Sequence, residues 1–533
     1  MVVAQEARAA TIGRDILKRG GNAVDAAVAT AFALAVTLPR AGNIGGGGFM
    51  LVHDAERKKT SAIDYRETAP AAAASGMFLD EKDNFDRRKS QSSGLGVGVP
   101  GTVAGMALAL ARYGSGKFSL AQLIAPAIVL AENGITVDED LADSLPWAVQ
   151  RFQRYPASRA IFLRADGGPL REGDRLVQRD LAKALRRIAG EGPKGFYEGE
   201  TARLLVAAIS EAGGTMALTD LKDYEAKERA PVRGSYRGHE VVSMPPPSSG
   251  GVHIVQILNI LEGFPLAQSG HNSAATIHVM AEAMKRAYAD RSEYLGDPDF
   301  APVPLRALTS KAYAEKLREA ISTGRATRAS TIKPGALGPY ESDQTTHFSV
   351  VDSKGNAVAN TYTLNFSYGL GMVAAGTGIL LNNELDDFAA KPNAPNAYGL
   401  LGGRANAPGP RKRPLSSMSP AMVFRDGKLE LVTGSPGGSR IITTVLQIIL
   451  NTIDFGMNAA EATIAPRVHH QWYPDVLNVE RGVSPDTLEL LRREGHAIHI
   501  RRSMGSTQTI VRKDGLLFGA SDTRQRGGAA VGY

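Results

Sequence analysis

The sequence predicts a layered α/β protein in which strands and helices alternate, and three observations carry that reading. The 533-residue chain is 43% hydrophobic and 22% charged, the balance of a globular protein. Thr346 to Val351 and Asn356 to Leu364, both rich in β-branched and aromatic residues, flank Asp352-Ser353-Lys354-Gly355 and read as a hairpin. Leu429 to Thr433 reads as a strand that passes through Gly434-Ser435-Pro436-Gly437-Gly438-Ser439 into a helix from Arg440 to Ile453. Periodicity alone also fits a doubly wound sheet.

The elements follow in order. A first helix runs from about Ala4 to Arg19 and ends at Gly20-Gly21. The apolar stretch Ala26 to Thr37 belongs to a second, buried helix, because it is far shorter than the ~20 residues a membrane span needs. Gly250-Gly251 precedes a helical run through Ile254, Ile257 and Ile260-Leu261, and Thr276 to Arg291 has helical spacing. Ser322 to Gln344 is polar and broken by Lys333-Pro334-Gly335 and Gly338-Pro339, which predicts an exposed connection. Length alone suggests about three or four domains, but large α/β enzymes exceed that ratio as single units.

Charge and cysteine usage narrow the function. The net charge is +7, but the 61 basic and 54 acidic residues are interspersed, so no nucleic-acid-binding tail is visible. Arg411-Lys412-Arg413, the densest basic run, reads as a solvated loop. Cysteine is absent, which excludes disulfides, cysteine nucleophiles and thiolate metal sites.

The hairpin carries the chemistry. With glycine third in the loop, Ser353-Lys354-Gly355 forms the connection and Asp352 pairs with Asn356. Counting outward sets Thr345 opposite Thr363, where paired side chains share a face about 4.5 to 5.5 Å apart. Alternation places Thr361, Thr363 and Asn365 on that face. Were the chain cut before Thr345, that residue would bring both a hydroxyl nucleophile and its own base, an α-amine with pKa about 7.7 to 8.0. Taken alone, the pattern also fits an ordinary threonine-rich strand pair.

Other motifs fail on inspection. Gly45-Gly46-Gly47-Gly48 lacks the lysine of a P-loop, Gly96-Val97-Gly98-Val99-Pro100-Gly101 puts proline where a dinucleotide turn opens its helix, and no Gly-x-Ser-x-Gly elbow occurs. His469-His470 diverge as neighbours on any element and have no accompanying carboxylate set, so structural roles are expected and no metal or cofactor site is assigned. The amides of Gly434 to Ser439 suit a developing oxyanion at a helix start, or simply a strand-to-helix turn.

Thr345-Thr346-His347, Ser349, Gly355-Asn356, Val358-Ala359, Thr361, Thr363-Leu364-Asn365 and Tyr368-Gly369 together resemble the signature of the γ-glutamyltranspeptidases, or glutathione hydrolases. The likeness extends through Gly20 to Ala27, Gly45 to Met50, Asp64 to Pro70, Met244 to Gly251, Leu415 to Pro420 and Gly434 to Arg440. It implies an N-terminal nucleophile hydrolase fold, an αββα sandwich formed jointly by two subunits from one precursor. Self-cleavage at Gln344-Thr345 would give a large subunit, 1–344, and a small one, 345–533. Thr345 is then the nucleophile, Thr363 its orienting partner, and Gly437 and Gly438 the oxyanion hole.

The same resemblance implies the substrate contacts. The γ-glutamyl end is a zwitterion. Arg66, Ser416 and Ser417 match positions that bind its carboxylate, and Asn365, Glu384 and Asp387 match those that accept from its ammonium. Position 384 is glutamate here where some bacterial members have glutamine. Pro392 to Gly403 resembles a lid with Tyr398 as its aromatic stopper. The expected activity is transfer of the γ-glutamyl group of glutathione and related amides to water, amino acids or peptides, without a cofactor. A cephalosporin acylase of the same fold and a non-catalytic periplasmic amino-acid-binding protein are the alternatives. Relatives are exported, and Met1-Val2-Val3-Ala4 enters a helix with no signal segment before it, so a mature periplasmic or secreted form is expected.

Overall fold

A computed structural model describes residues 1–334, 345–391 and 404–533. Two antiparallel sheets lie face to face between helical layers. The first runs Ala529–Val531, Val2–Ala4, Thr346–Val351, Ala357–Thr363, Gly47–Asp54, Lys59–Tyr65, Lys227–Arg229. The second runs Leu516–Ser521, Gln508–Lys513, Lys428–Thr433, Ala421–Arg425, His239–Ser243, Val232–Tyr236. This excludes a doubly wound sheet, whose strands would be parallel. Both sheets interleave strands from before and after Thr345, so neither part holds a complete sheet alone.

Side-chain alternation assigns the layers. Phe348, Val350, Val358 and Tyr362 face outward into a core shared with the helix Ala23–Thr37, every residue of which is buried. Val351, Ala357 and Ala359 face inward, in the core that also holds Val241, Val423 and Leu431 of the second sheet. The helices Gly250–Leu261, Ala274–Tyr294 and Arg440–Ile453 supply the remaining side of that core.

Hairpin register is as predicted: Ala357 pairs with Val351 and Tyr362 with Thr346, while Asp352 N–H donates to the Asn356 carbonyl at 3.0 Å. Gly355 takes φ +89°, the left-handed value that closes such a loop. Three expectations need correction. The first helix is Ala7–Lys18, and Val2–Ala4 is instead a strand between Ala529–Val531 and Thr346–Val351. The basic run is not solvated beyond Arg411: Lys412 Nζ donates to the Ala405 and Ala407 carbonyls, and Arg413 lies buried beside Asp64. The connection after Ser322 is anchored over its first half, since Ala329 is buried, its N–H donates to Asp475 and its carbonyl accepts from Trp472 Nε1.

Candidate active site

Thr345 immediately precedes the strand Thr346–Val351 and is 6% exposed. Alternation turns His347 and Ser349 toward the second sheet, where Ser349 Oγ donates to the Gln508 carbonyl at 2.8 Å. Gly434 lies directly over His347: a Cβ there would be 2.3 Å from the ring. Thr345, two residues before His347, therefore enters the same inter-sheet space at the level of the loop that follows Gly434.

Thr363 ends the partner strand. Its Oγ1 accepts from Asn365 N–H at 2.8 Å, which uses one lone pair. Asn365 leaves the strand at φ +71°, so alternation does not place it; its Nδ2 donates to the Asn383 carbonyl at 2.9 Å instead. That link joins the Thr363 end of the hairpin to the turn Glu384–Asp387.

His347 is the nearest imidazole. Its Nδ1 lies 2.8 Å from Thr361 Oγ1 and its Nε2 3.0 Å from Ser349 Oγ, and burial pushes its pKa down to about 3. It is a neutral, fully engaged structural group. His469 and His470 are structural too: His469 meets Thr443 and Gln471, and His470 lies 3.2 Å from Asp475.

Gly437 and Gly438 occupy the turn into the helix Arg440–Ile453 with φ +130° and +57°. Their carbonyls accept from Arg440 and Ile441 N–H, while neither glycine N–H donates a hydrogen bond among the described residues. Gln508 N–H donates to the Gly434 carbonyl, and Ser506 N–H to Ser435 Oγ, so the loop is pinned. Two unengaged amides at a helix start make an anion-binding concavity.

Arg66 is fully buried just beyond the strand Lys59–Tyr65. Its Nε donates to the Pro414 carbonyl at 3.1 Å and its Nη2 to that of Leu415 at 3.2 Å, which docks it against Ser416 and Ser417. Nη1 pairs with Glu384, and Nη2 with Asp387 at 2.5 Å. The residues expected at opposite ends of a zwitterion thus form one ion-pair cluster. Glu67, to which the sequence reading assigned no role, joins it at 3.7 Å from Arg66 Nη1. A Cβ on Gly47, the residue paired with Thr363, would lie 2.7 Å from Glu67 Oε2, so this carboxyl stands beside the Thr363 end of the hairpin.

Three buried carboxyls around one guanidinium cannot all be ionised. Burial raises all three, against the opposing pull of Arg66: Glu67 to about 7, Glu384 and Asp387 well above the usual carboxylate range. Burial acts against the Arg66 charge, but Glu384 and Asp387 outweigh it and keep the guanidinium protonated. The Glu67 and Glu384 carboxyls hydrogen-bond each other, whereas Asp387 Oδ1 and Ser417 Oγ are buried without a hydrogen-bond partner. A buried polar atom without a partner is costly, and Asp387 Oδ1 belongs to the cluster around Arg66. A surface cavity of about 1020 Å³ lies by the hairpin turn, lined by Asp54, Lys117, Asp352 and Tyr533, at the end of the hairpin away from Thr345. Volume alone would misplace the site.

Tyr398 and the rest of the expected lid lie outside the described residues, as does Gln344. No helix among the described residues is long and apolar enough to cross a membrane.

Comparison with known proteins identifies the family of the chain. The family profile described as Gamma-glutamyltranspeptidase matches residues 9–532. The chain is 56% identical to the glutathione hydrolase proenzyme of Escherichia coli (strain K12), over all of this chain and 92% of that one. Among solved structures it is similar to a cephalosporin acylase from Bacillus halodurans, with TM-score 0.88, 29% identity, and coverage of 100% of this chain and 95% of that one. It is also similar to a Helicobacter pylori γ-glutamyltranspeptidase chain, with TM-score 0.60, 48% identity, and coverage of 62% and 93% respectively.

Proposed function

Because the chain belongs to the γ-glutamyltranspeptidase family, we propose that Thr345 is its nucleophile, freed by self-cleavage of the Gln344-Thr345 bond. The enzyme is a γ-glutamyltransferase and glutathione hydrolase. In the proposed mechanism, Thr345 Oγ attacks the γ-glutamyl carbonyl while the Thr345 α-amine takes the hydroxyl proton. Thr363, held by Asn365, orients that oxygen. The carbonyl oxygen gains negative charge against the N–H groups of Gly437 and Gly438. Collapse expels the leaving amine, which receives the proton, and leaves a γ-glutamyl ester on Thr345. Water or an amino acid or peptide amine then attacks the ester and regenerates Thr345.

The observation that carries the substrate reading is the buried carboxyl cluster around Arg66, in which Asp387 Oδ1 has no partner. An α-ammonium satisfies Asp387 Oδ1 and suits Glu384, assisted by Asn365, and an α-carboxylate suits the guanidinium with Ser416 and Ser417. A glutaryl group lacks the ammonium and would leave the buried Asp387 Oδ1 unpaired, which disfavours acylase activity on glutaryl substrates despite the structural likeness. A pure amino-acid-binding protein would have no use for Thr345, Thr363 and the two glycine amides. Segments 1–344 and 345–533 would stay associated after cleavage because their strands share both sheets. The bacterial relatives suggest a periplasmic or secreted setting, with Tyr398 over the substrate as a lid. Thr345→Ala tests the proposal: the protein should remain one chain without turnover of γ-glutamyl anilides, and scission at the same bond in that variant would contradict it.

A further inference from the structure

His278, on the helix Ala274–Tyr294, is completely buried, and its Nε2 lies 2.6 Å from the Ser322 carbonyl oxygen. A carbonyl only accepts, so that nitrogen carries a proton, and in the neutral ring Nδ1 then presents a lone pair. Nδ1 faces His496 Nε2 at 2.9 Å and Glu494 Oε2 at 3.4 Å. One ligand atom from each of the three residues falls within 4.8 Å of the others. Tetrahedral ligands about 2.0 to 2.2 Å from an ion are separated by about 3.3 to 3.6 Å; the Glu494 distance to Nδ1 falls in that range, and the histidine pair would open by about 0.4 Å to reach it.

A direct hydrogen bond between the histidines explains the 2.9 Å contact but not the third group. With His496 Nε2–H donating to Nδ1, Glu494 Oε2 faces a filled acceptor, and this buried oxygen has no hydrogen-bond partner. A cation at the centre of the three atoms satisfies all of them. The His278 Nε2–H to carbonyl bond is the outer support that metal-bound histidines ordinarily have.

We propose that His278, Glu494 and His496 form a site for a divalent transition-metal ion of the zinc class, with a fourth position for water. Two imidazoles and a carboxylate suit such an ion better than calcium or magnesium, which prefer all-oxygen shells. Glu494 and His496 lie in the turn between the helix Pro485–Arg493 and the strand Ile498–Arg501. The Glu494 carbonyl also accepts from Ala326 N–H at 2.7 Å. The ion therefore ties the base of the 322–344 connection to the C-terminal part of the chain. That it staples two subunits rests on the proposed cleavage; the binding itself does not.

The test is calorimetric titration of the chelator-stripped, full-length protein with zinc chloride, with cobalt(II) absorption as the report on ligand set. One ion should bind per chain, and His278→Gln or His496→Gln should weaken binding by more than about tenfold. His239→Gln, which alters a histidine beside Arg237 and Glu430, should leave it unchanged. If a buried-histidine variant fails to fold, Glu494→Gln keeps both rings and removes only the partly exposed ligand; the same loss is expected. The uncleaved Thr345→Ala protein should bind equally well, which separates this inference from the catalytic one. Absence of stoichiometric binding by the wild type, or affinities within about twofold across all ligand variants, would overturn it.

Discussion

Arg66 Nη2 and Asp387 Oδ2 meet at 2.5 Å although 321 residues separate them, and neither side chain is more than 4% exposed. The other terminal nitrogen of Arg66 pairs with Glu384. One planar fork therefore holds the two acids at a fixed separation while Nε and Nη2 dock on the 414–415 backbone. Lysine has a single point charge and cannot span both acids. Arg66→Lys should lower kcat/KM for γ-glutamyl anilides by about one to three decades, the equivalent of roughly 1.5 to 4 kcal/mol of charged hydrogen bonding. Cleavage should survive, as gel electrophoresis would show. Unchanged kinetics would remove Arg66 from the substrate site.

Glu67 gives a prediction about pH. Burial raises it from 4.5 to about 7, so the folded protein holds its proton across a window in which the unfolded chain has lost it. Its contribution to stability is full below pH 4.5 and is lost as pH rises through about 7. Glu67→Gln removes that loss. The variant's unfolding free energy relative to wild type should rise between about pH 5 and about pH 8 in denaturant titrations. A difference that stays flat would show that Glu67 does not carry the proton.

His347 tests the identity of the base. Both its ring nitrogens are engaged and burial keeps it neutral, so it orders the inter-sheet space and has no free nitrogen to take a proton from Thr345. With the two segments expressed separately to bypass maturation, His347→Asn should retain turnover at reduced stability, about 1 to 3 kcal/mol for the bonds lost. Activity of the wild type should rise through an apparent pKa near 7.7 to 8.0, roughly that of an α-amine. Complete loss of turnover in a correctly assembled His347→Asn protein would favour a histidine base.

Local features of this chain were legible, and remote ones were not. The hairpin register followed from alternation and one glycine, and with it the placing of Thr345 beyond the Thr346–Tyr362 pair. Asn365 escaped that logic because the strand ends at Thr363 and the chain turns through a positive φ. Val2–Ala4 is not legible as a strand because three apolar residues have no period of their own. Glu67 sat beside Arg66 in the sequence, but its burial among two acids from the 384–387 turn arises only on folding. Adjacent His469 and His470 drew attention as a pair, whereas His278 and His496, 218 residues apart, are the histidines that meet. Spacing along a chain describes single elements; clusters assembled from several elements leave no such trace.

Mass spectrometry of the purified protein, before and after brief incubation with a γ-glutamyl substrate quenched in acid, tests the central claim most directly. Two fragments beginning at Met1 and Thr345 should appear, summing to the full chain plus one water, and the acyl adduct should map to Thr345 on the smaller. An uncleaved chain that still turns over γ-glutamyl anilides, or an adduct on any other residue, would contradict the account.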